Sequence, residues 1–111
     1  MKYRIIEKPK QRGYIIKNKG VGIQKQNITF HRGFIEKYGI KKWCDFAEND
    51  NGYLCFRLSD TESLNSYKIY KTPTGAYVIH LPRVVREKVV QFAKYDVEKD
   101  GDWFVTNCKL K

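Results

Sequence analysis

Residues 28–46 read ITFHRGFIEKYGIKKWCDF, and residues 79–97 read IHLPRVVREKVVQFAKYDV. A shift of 51 lays one on the other without a gap, and five of the 19 positions are then identical: Ile28/Ile79, Arg32/Arg83, Glu36/Glu87, Lys37/Lys88 and Asp45/Asp96. Four more keep apolar character: Phe30/Leu81, Phe34/Val85, Tyr38/Val89 and Phe46/Val97. An internal repeat decides the fold before any single motif does, because it means that the chain builds one unit twice.

Each copy opens with period-2 alternation, Ile28 and Phe30 or Ile79 and Leu81, which predicts a half-buried strand. A short helix follows. Phe34, Ile35 and Tyr38, or Val84, Val85 and Val89, recur at helical spacing, with the Glu-Lys pair on the solvated side. Pro82 suits a strand end or the first helical turn, where its missing N–H costs nothing. A second strand is expected around Phe46 or Val97. It leads into Asn49-Asp50-Asn51-Gly52 or Lys99-Asp100-Gly101-Asp102, whose Asn, Asp and Gly accept hairpin-turn geometry. Tyr53 to Leu58 and Trp103 to Val105 close the hairpins.

Outward from the repeat, residues 59–66 are polar and turn-rich, Tyr67 to Tyr70 reads as a further strand, and Lys71 to Gly75 as a turn. Residues 1–26 hold eight basic side chains against Glu7 alone, +7 of a total charge of +10. There the basic residues alternate with Tyr3, Ile5, Ile6, Tyr14, Ile15 and Ile16, which predicts two strands, roughly 2–7 and 13–17, turning at Pro9 and Gly13. The expected organisation is one domain of four stretches: a basic N-terminal hairpin (1–26), a first repeat (27–58), a connector with a strand (59–75) and a second repeat (76–111). The class is α+β, mostly β.

Length and composition narrow the function. A chain of 111 residues excludes a large multidomain enzyme, and at this size roughly 65% of the unfolded surface should become buried. No apolar run is long enough to span a membrane and the N-terminus lacks a secretion-signal core, so a cytoplasmic protein without membrane association is expected. Cys44, Cys55 and Cys108 have no C-x-x-C spacing, and His31 and His80 are scattered, so neither disulfide nor metal site nor cofactor is expected.

The second copy, Tyr77-Val-Ile-His-Leu-Pro82-Arg83-Val-Val-Arg86-Glu87-Lys88-Val89 with Val97-Glu98 and Asp100-Gly101 after it, resembles the AbrB/SpoVT swapped-hairpin domain. Members of that family show a strand, Ile-Pro-Lys, a one-turn helix with Arg-Glu-Lys-Leu, then Gly-Asp-x-Val-Glu and an Asp-Gly hairpin. The first copy is similar more loosely, through Phe30-His31-Arg32 and Glu36-Lys37-Tyr38-Gly39-Ile40-Lys41. The resemblance implies a DNA-binding module in which two units interleave their hairpins into one small barrel. Here both units stand in one chain, as in the MraZ-like tandem arrangement, giving a pseudo-dimer. It carries DNA contacts over to Arg32 and Arg83, after the Pro position, and to Arg86 in the helix. Ile35 replaces that helix Arg in the first copy, and Asn27 and Val78 stand at the family's strand Arg, so the second copy is expected to contribute more. The resemblance covers about 60 to 65 residues and leaves out the basic N-terminal stretch.

A basic, aromatic-interleaved β surface supplies phosphate contacts and, for single strands, stacking. The residues expected to meet nucleic acid are Lys8, Lys10, Arg12, Lys17, Lys19, Lys25, Arg32, Arg83, Arg86 and Lys88. Three readings follow. The first is a noncatalytic double-stranded DNA-binding protein, a transcriptional regulator or a phage or plasmid accessory factor. The second is single-stranded nucleic acid on an aromatic β surface. The third is an inhibitor or antitoxin-like factor whose basic segment docks on an acidic protein. The sequence is compatible with a monomer of internal pseudo-symmetry or with a homodimer. A catalytic reading is weaker: Asp96, Glu98, Asp100 and Asp102 alternate, but the last two flank the hairpin Gly101, and Gly20-Val-Gly22 lacks the rest of a phosphate loop.

Overall fold

A computed structural model describes residues 20–111. The strands expected at 2–7 and 13–17, with Lys8, Lys10, Arg12, Lys17 and Lys19, lie outside the described residues. In chain order the elements are β1 (Val21–Ile23), β2 (Asn27–Phe30), α1 (Arg32–Tyr38), β3 (Trp43–Glu48), β4 (Tyr53–Ser59), β5 (Tyr67–Lys68), β6 (Tyr70–Lys71), β7 (Tyr77–His80), α2 (Arg83–Arg86), β8 (Lys94–Tyr95), β9 (Val97–Asp100) and β10 (Trp103–Lys109). They form two antiparallel five-stranded sheets, ordered β6-β7-β2-β1-β8 and β5-β3-β4-β10-β9. The chain steps from an edge of one sheet to an edge of the other at Ile69, between β5 and β6, and at Asp96, between β8 and β9. The sheets thus share their edges through two kinked strands, without closing into one hydrogen-bonded barrel.

The pairing registers explain the repeat. β2 and β7 run side by side with Ile28 opposite Ile79, and the flanking pairs are Asn27 with His80 and Thr29 with Val78. Equivalent residues therefore face each other across an approximate local two-fold axis. In the other sheet β4 and β10 do the same, with Cys55 opposite Val105 and Phe56 opposite Phe104. The second hairpin turn is one residue shorter than the first, so here the offset between copies is 50 rather than 51. With that offset Leu54, Phe56 and Leu58 fall on Phe104, Thr106 and Cys108, and all six are buried.

A second change in turn length hides more of the repeat. β1 pairs with β2 on one side and β8 on the other, matching Val21 with Tyr95 and Gly22 with Lys94. β5 repeats this against β3, matching Tyr67 with Cys44 and Lys68 with Trp43. The Ile23 amide donates to the Ala93 carbonyl at 2.8 Å, and the Ile69 amide to the Lys42 carbonyl at 2.9 Å. These contacts correspond at an offset of 46 for the first strand, because the chain from Ile69 to Ile79 is five residues longer than that from Ile23 to Ile28. The strand expected in the connector is β5–β6, the counterpart of β1. β1 itself was not expected from the sequence.

The core lies between the sheets and under the helices. Phe34, fully buried, is carried inward by α1, and its ring meets Phe30, Tyr38, Phe56 and Phe104 at centroid distances of 5.6, 5.2, 5.6 and 5.0 Å. In the second copy the equivalent inward stripe is Val85, in α2, and Val89, just after it, which bridges to Leu110. Val84, expected on that stripe, is instead 63% exposed. Successive residues of a helix are rotated by about 100°, so with Val85 turned inward its neighbour Val84 faces away from the core. Thr106 is a buried polar core residue, and its hydroxyl donates to the Leu54 carbonyl at 2.8 Å and accepts from the Cys108 amide at 3.1 Å. Gly20 stands where a Cβ would sit 1.8 Å from the Tyr95 carbonyl oxygen, so the close approach of β1 to β8 requires glycine.

Candidate nucleic-acid interface

The two helices begin alike. His31 and Pro82 are the extended residues before α1 and α2, and Arg32 and Arg83 are the first helical residues. Arg32 Nε donates to Glu36 Oε1 at 3.0 Å and Arg83 Nε to Glu87 Oε1 at 2.8 Å, the same i, i+4 ion pair in each copy. Both guanidinium side chains are more than 80% exposed. A pair this exposed to water contributes little to stability and leaves each arginine able to exchange its carboxylate for a phosphate.

The second helix adds a cluster that the first lacks. Arg86 Nη1 donates to the Lys25 carbonyl at 3.5 Å, across the connection between β1 and β2. The structure therefore sets Arg86 against the backbone at Lys25, with Arg83 one turn earlier on the same short helix. At the matching place in α1, Ile35 is half-buried and packs against the core. Lys88 turns elsewhere, with its Nζ 3.3 Å from Glu48 Oε1. It is held in that ion pair and stands apart from the helix-start group.

The sequence reading missed Lys41, Lys42 and Lys99, which lie beyond the far end of α1. Lys37 closes the helix, and Lys41 and Lys42 follow it, all exposed. Lys99 on β9 joins this side, lining with Tyr38, Lys41 and Arg57 a groove of about 400 Å³. The signal available was the doublet Lys41-Lys42 directly after the helix, where the second copy has Phe92-Ala93.

The acidic residues behave as structural groups. Asp45 Oδ2 accepts from Arg57 Nη2 at 2.8 Å, and its Oδ1 from the Ser63 hydroxyl at 3.1 Å. In the second copy Asn107 stands at the place of Arg57, and its Oδ1 accepts from the Asp96 amide at 3.0 Å. Equivalent positions thus tie equivalent strands, Asp45 through its carboxylate and Asp96 through its backbone amide. Among the described residues there is no group of three or more His, Cys, Asp and Glu placed to hold a metal ion. Arg57 also lies over the Trp103 ring, 4.6 Å from its centroid, while Trp43 and Trp103 are both half-buried. Large exposed rings are few among the described residues, Tyr70 at 45% and Phe92 at 38%. None of the described helices is long and apolar enough to cross a membrane.

Comparison with known protein families, with curated proteins and with solved structures gives no match to this chain.

Proposed function

We propose that this is a small, noncatalytic, double-stranded DNA-binding protein, a transcriptional regulator or a phage or plasmid accessory factor, built as a tandem swapped-hairpin-type pseudo-dimer. The observation that carries this reading is the local two-fold register, Ile28 on Ile79 and Cys55 on Val105, with Arg32 and Arg83 at equivalent exposed helix starts. Duplex DNA has backbone two-fold symmetry of its own, so paired cationic positions about an axis suit its two strands. Phosphate contact by such arginines fixes the orientation of a protein on the duplex. Single-stranded binding by stacking needs several exposed rings in succession. Tyr70 with Lys68 5.4 Å from its ring centroid is a single such place.

The helix-start cluster makes the reading testable by substitution. Replacing Arg83 and Arg86 together by Ala should weaken duplex binding more than replacing Arg32 by Ala, and should lower the slope of log affinity against log salt by about 0.9 for each phosphate that is no longer neutralised. Equal, small losses in both variants, with the wild-type chain binding well, would contradict the assignment of these arginines.

A further inference from the structure

The local two-fold is broken at one pair of positions, and the break is electrostatic. Lys88, in the turn after α2, and Glu48, on β3, form a 3.3 Å ion pair. Under the offset of 51 their counterparts are Lys37, on α1, and Lys99, on β9. The fold therefore offers the same place twice, and it is filled once by opposite charges and once by two lysines.

The two lysines flank one aromatic pair. Lys37 Nζ is 5.2 Å from the centroid of the Tyr38 ring, Lys99 Nζ is 5.9 Å from that of Phe104, and the two rings meet edge to face at 5.0 Å. Lys41, beyond the helix end, lines one groove with Lys99, and Lys42 is the next exposed lysine along the chain. No carboxylate among the described residues lies within ion-pair distance of these four lysines. Asp45, in the adjoining groove, is already held by Arg57 and Ser63, while Glu62 and Asp102 also line that groove. The neighbours of Lys99 on its strand, Glu98 and Asp100, point to the opposite face of the sheet by strand alternation.

Like charges at a site that accommodates an ion pair carry a cost in the free protein, and such local conflicts mark functional surfaces. We propose that Lys37, Lys41, Lys42 and Lys99 form a one-sided contact for the phosphates of duplex DNA. The chain would then sit on DNA asymmetrically, using the helix start of the second copy and the helix end of the first. This inference rests on the DNA-binding reading above and adds residues that the swapped-hairpin resemblance does not supply.

Two charge reversals test it in opposite directions. Lys99→Glu rebuilds in the first half the pair found in the second. The variant should keep or raise its thermal midpoint while losing roughly five- to tenfold in affinity for duplex DNA near physiological salt, with a shallower salt slope. Glu48→Lys gives the second half the same two-lysine arrangement, and should tighten binding several-fold and steepen the slope. If the wild-type chain binds duplex and both variants bind it equally well, this inference is overturned and the DNA-binding reading stands. If the wild-type chain binds no duplex at low salt, both are overturned. Retention by Lys99→Glu of a folded spectrum alongside weakened binding is the outcome that separates contact from misfolding.

Discussion

The thiol of Cys44 shows how one residue links packing to pH. The side chain is fully buried on β3, and burial, reinforced by the neighbouring Asp45 carboxylate, pushes the thiol far above its ordinary value of 9.0. Cys55 and Cys108 are shifted upward as well, burial being the largest cause in each. The native state therefore keeps these protons at a pH where the unfolded chain releases them. Their contribution to stability is whole well below pH 9 and declines as the pH rises through that value, because the unfolded state gains by ionising. The thermal midpoint should hold between pH 7 and 8 and fall from pH 8.5 to 10, and Cys44→Ala should flatten that fall relative to the lower midpoint it starts from. An unchanged pH slope in the variant would show that Cys44 ionises as readily in the folded chain as in the unfolded one. All three thiols are free cysteines.

At the scale of elements, the helices share a frame and differ in filling. α1 brings Phe34 and Tyr38 inward, while in the second copy Val85 on α2 and Val89 after it take the corresponding places. Removing the Phe34 ring would leave Phe30, Tyr38, Phe56 and Phe104 around a void, so Phe34→Ala should cost about 3 to 5 kcal/mol by chemical denaturation. Val85→Ala removes far less volume and should cost less than half of that. Similar costs for the two would mean that the aromatic cluster does not anchor the core. Much at this scale was legible in the sequence: alternation predicted β2 and β7, helical spacing predicted α1 and α2, and the Asn-Gly and Asp-Gly signals marked both hairpin turns. β1 escaped because three residues between Gly20 and Gln24 give no period to read. Val84 was misplaced because three valines within six residues leave the inward stripe ambiguous until packing selects it.

For the whole molecule, the repeat was visible over 19 positions and extends further in the structure. Gapless comparison stopped where turns change length, at the β1–β2 and β6–β7 connections on one side and the two hairpin turns on the other. The Glu48 and Lys99 pair of counterparts lies two residues beyond the aligned stretch, so the broken ion pair could not be read from it. Charge follows the same uneven plan. Residues 1–19 hold seven basic and one acidic side chain, +6, which leaves +4 for residues 20–111. That basic segment is bonded to Gly20, whose carbonyl accepts from the His31 amide at 3.0 Å, directly before Arg32. The sequence thus joins its most cationic stretch to the fold beside the start of α1.

The central claim is that a pseudo-two-fold β fold presents cationic helix ends to a duplex. The most direct measurement titrates the purified full chain against fluorescent duplex and single-stranded DNA of equal length, from low to physiological salt. The account predicts tighter binding to duplex at every salt concentration, with log affinity falling linearly against log salt by about 0.9 for each phosphate neutralised. Tighter binding to single strands, or no binding of either at low salt, would contradict it. The first would move the site to the Tyr70 and Lys68 surface, and the second would assign the positive charge to an acidic protein partner.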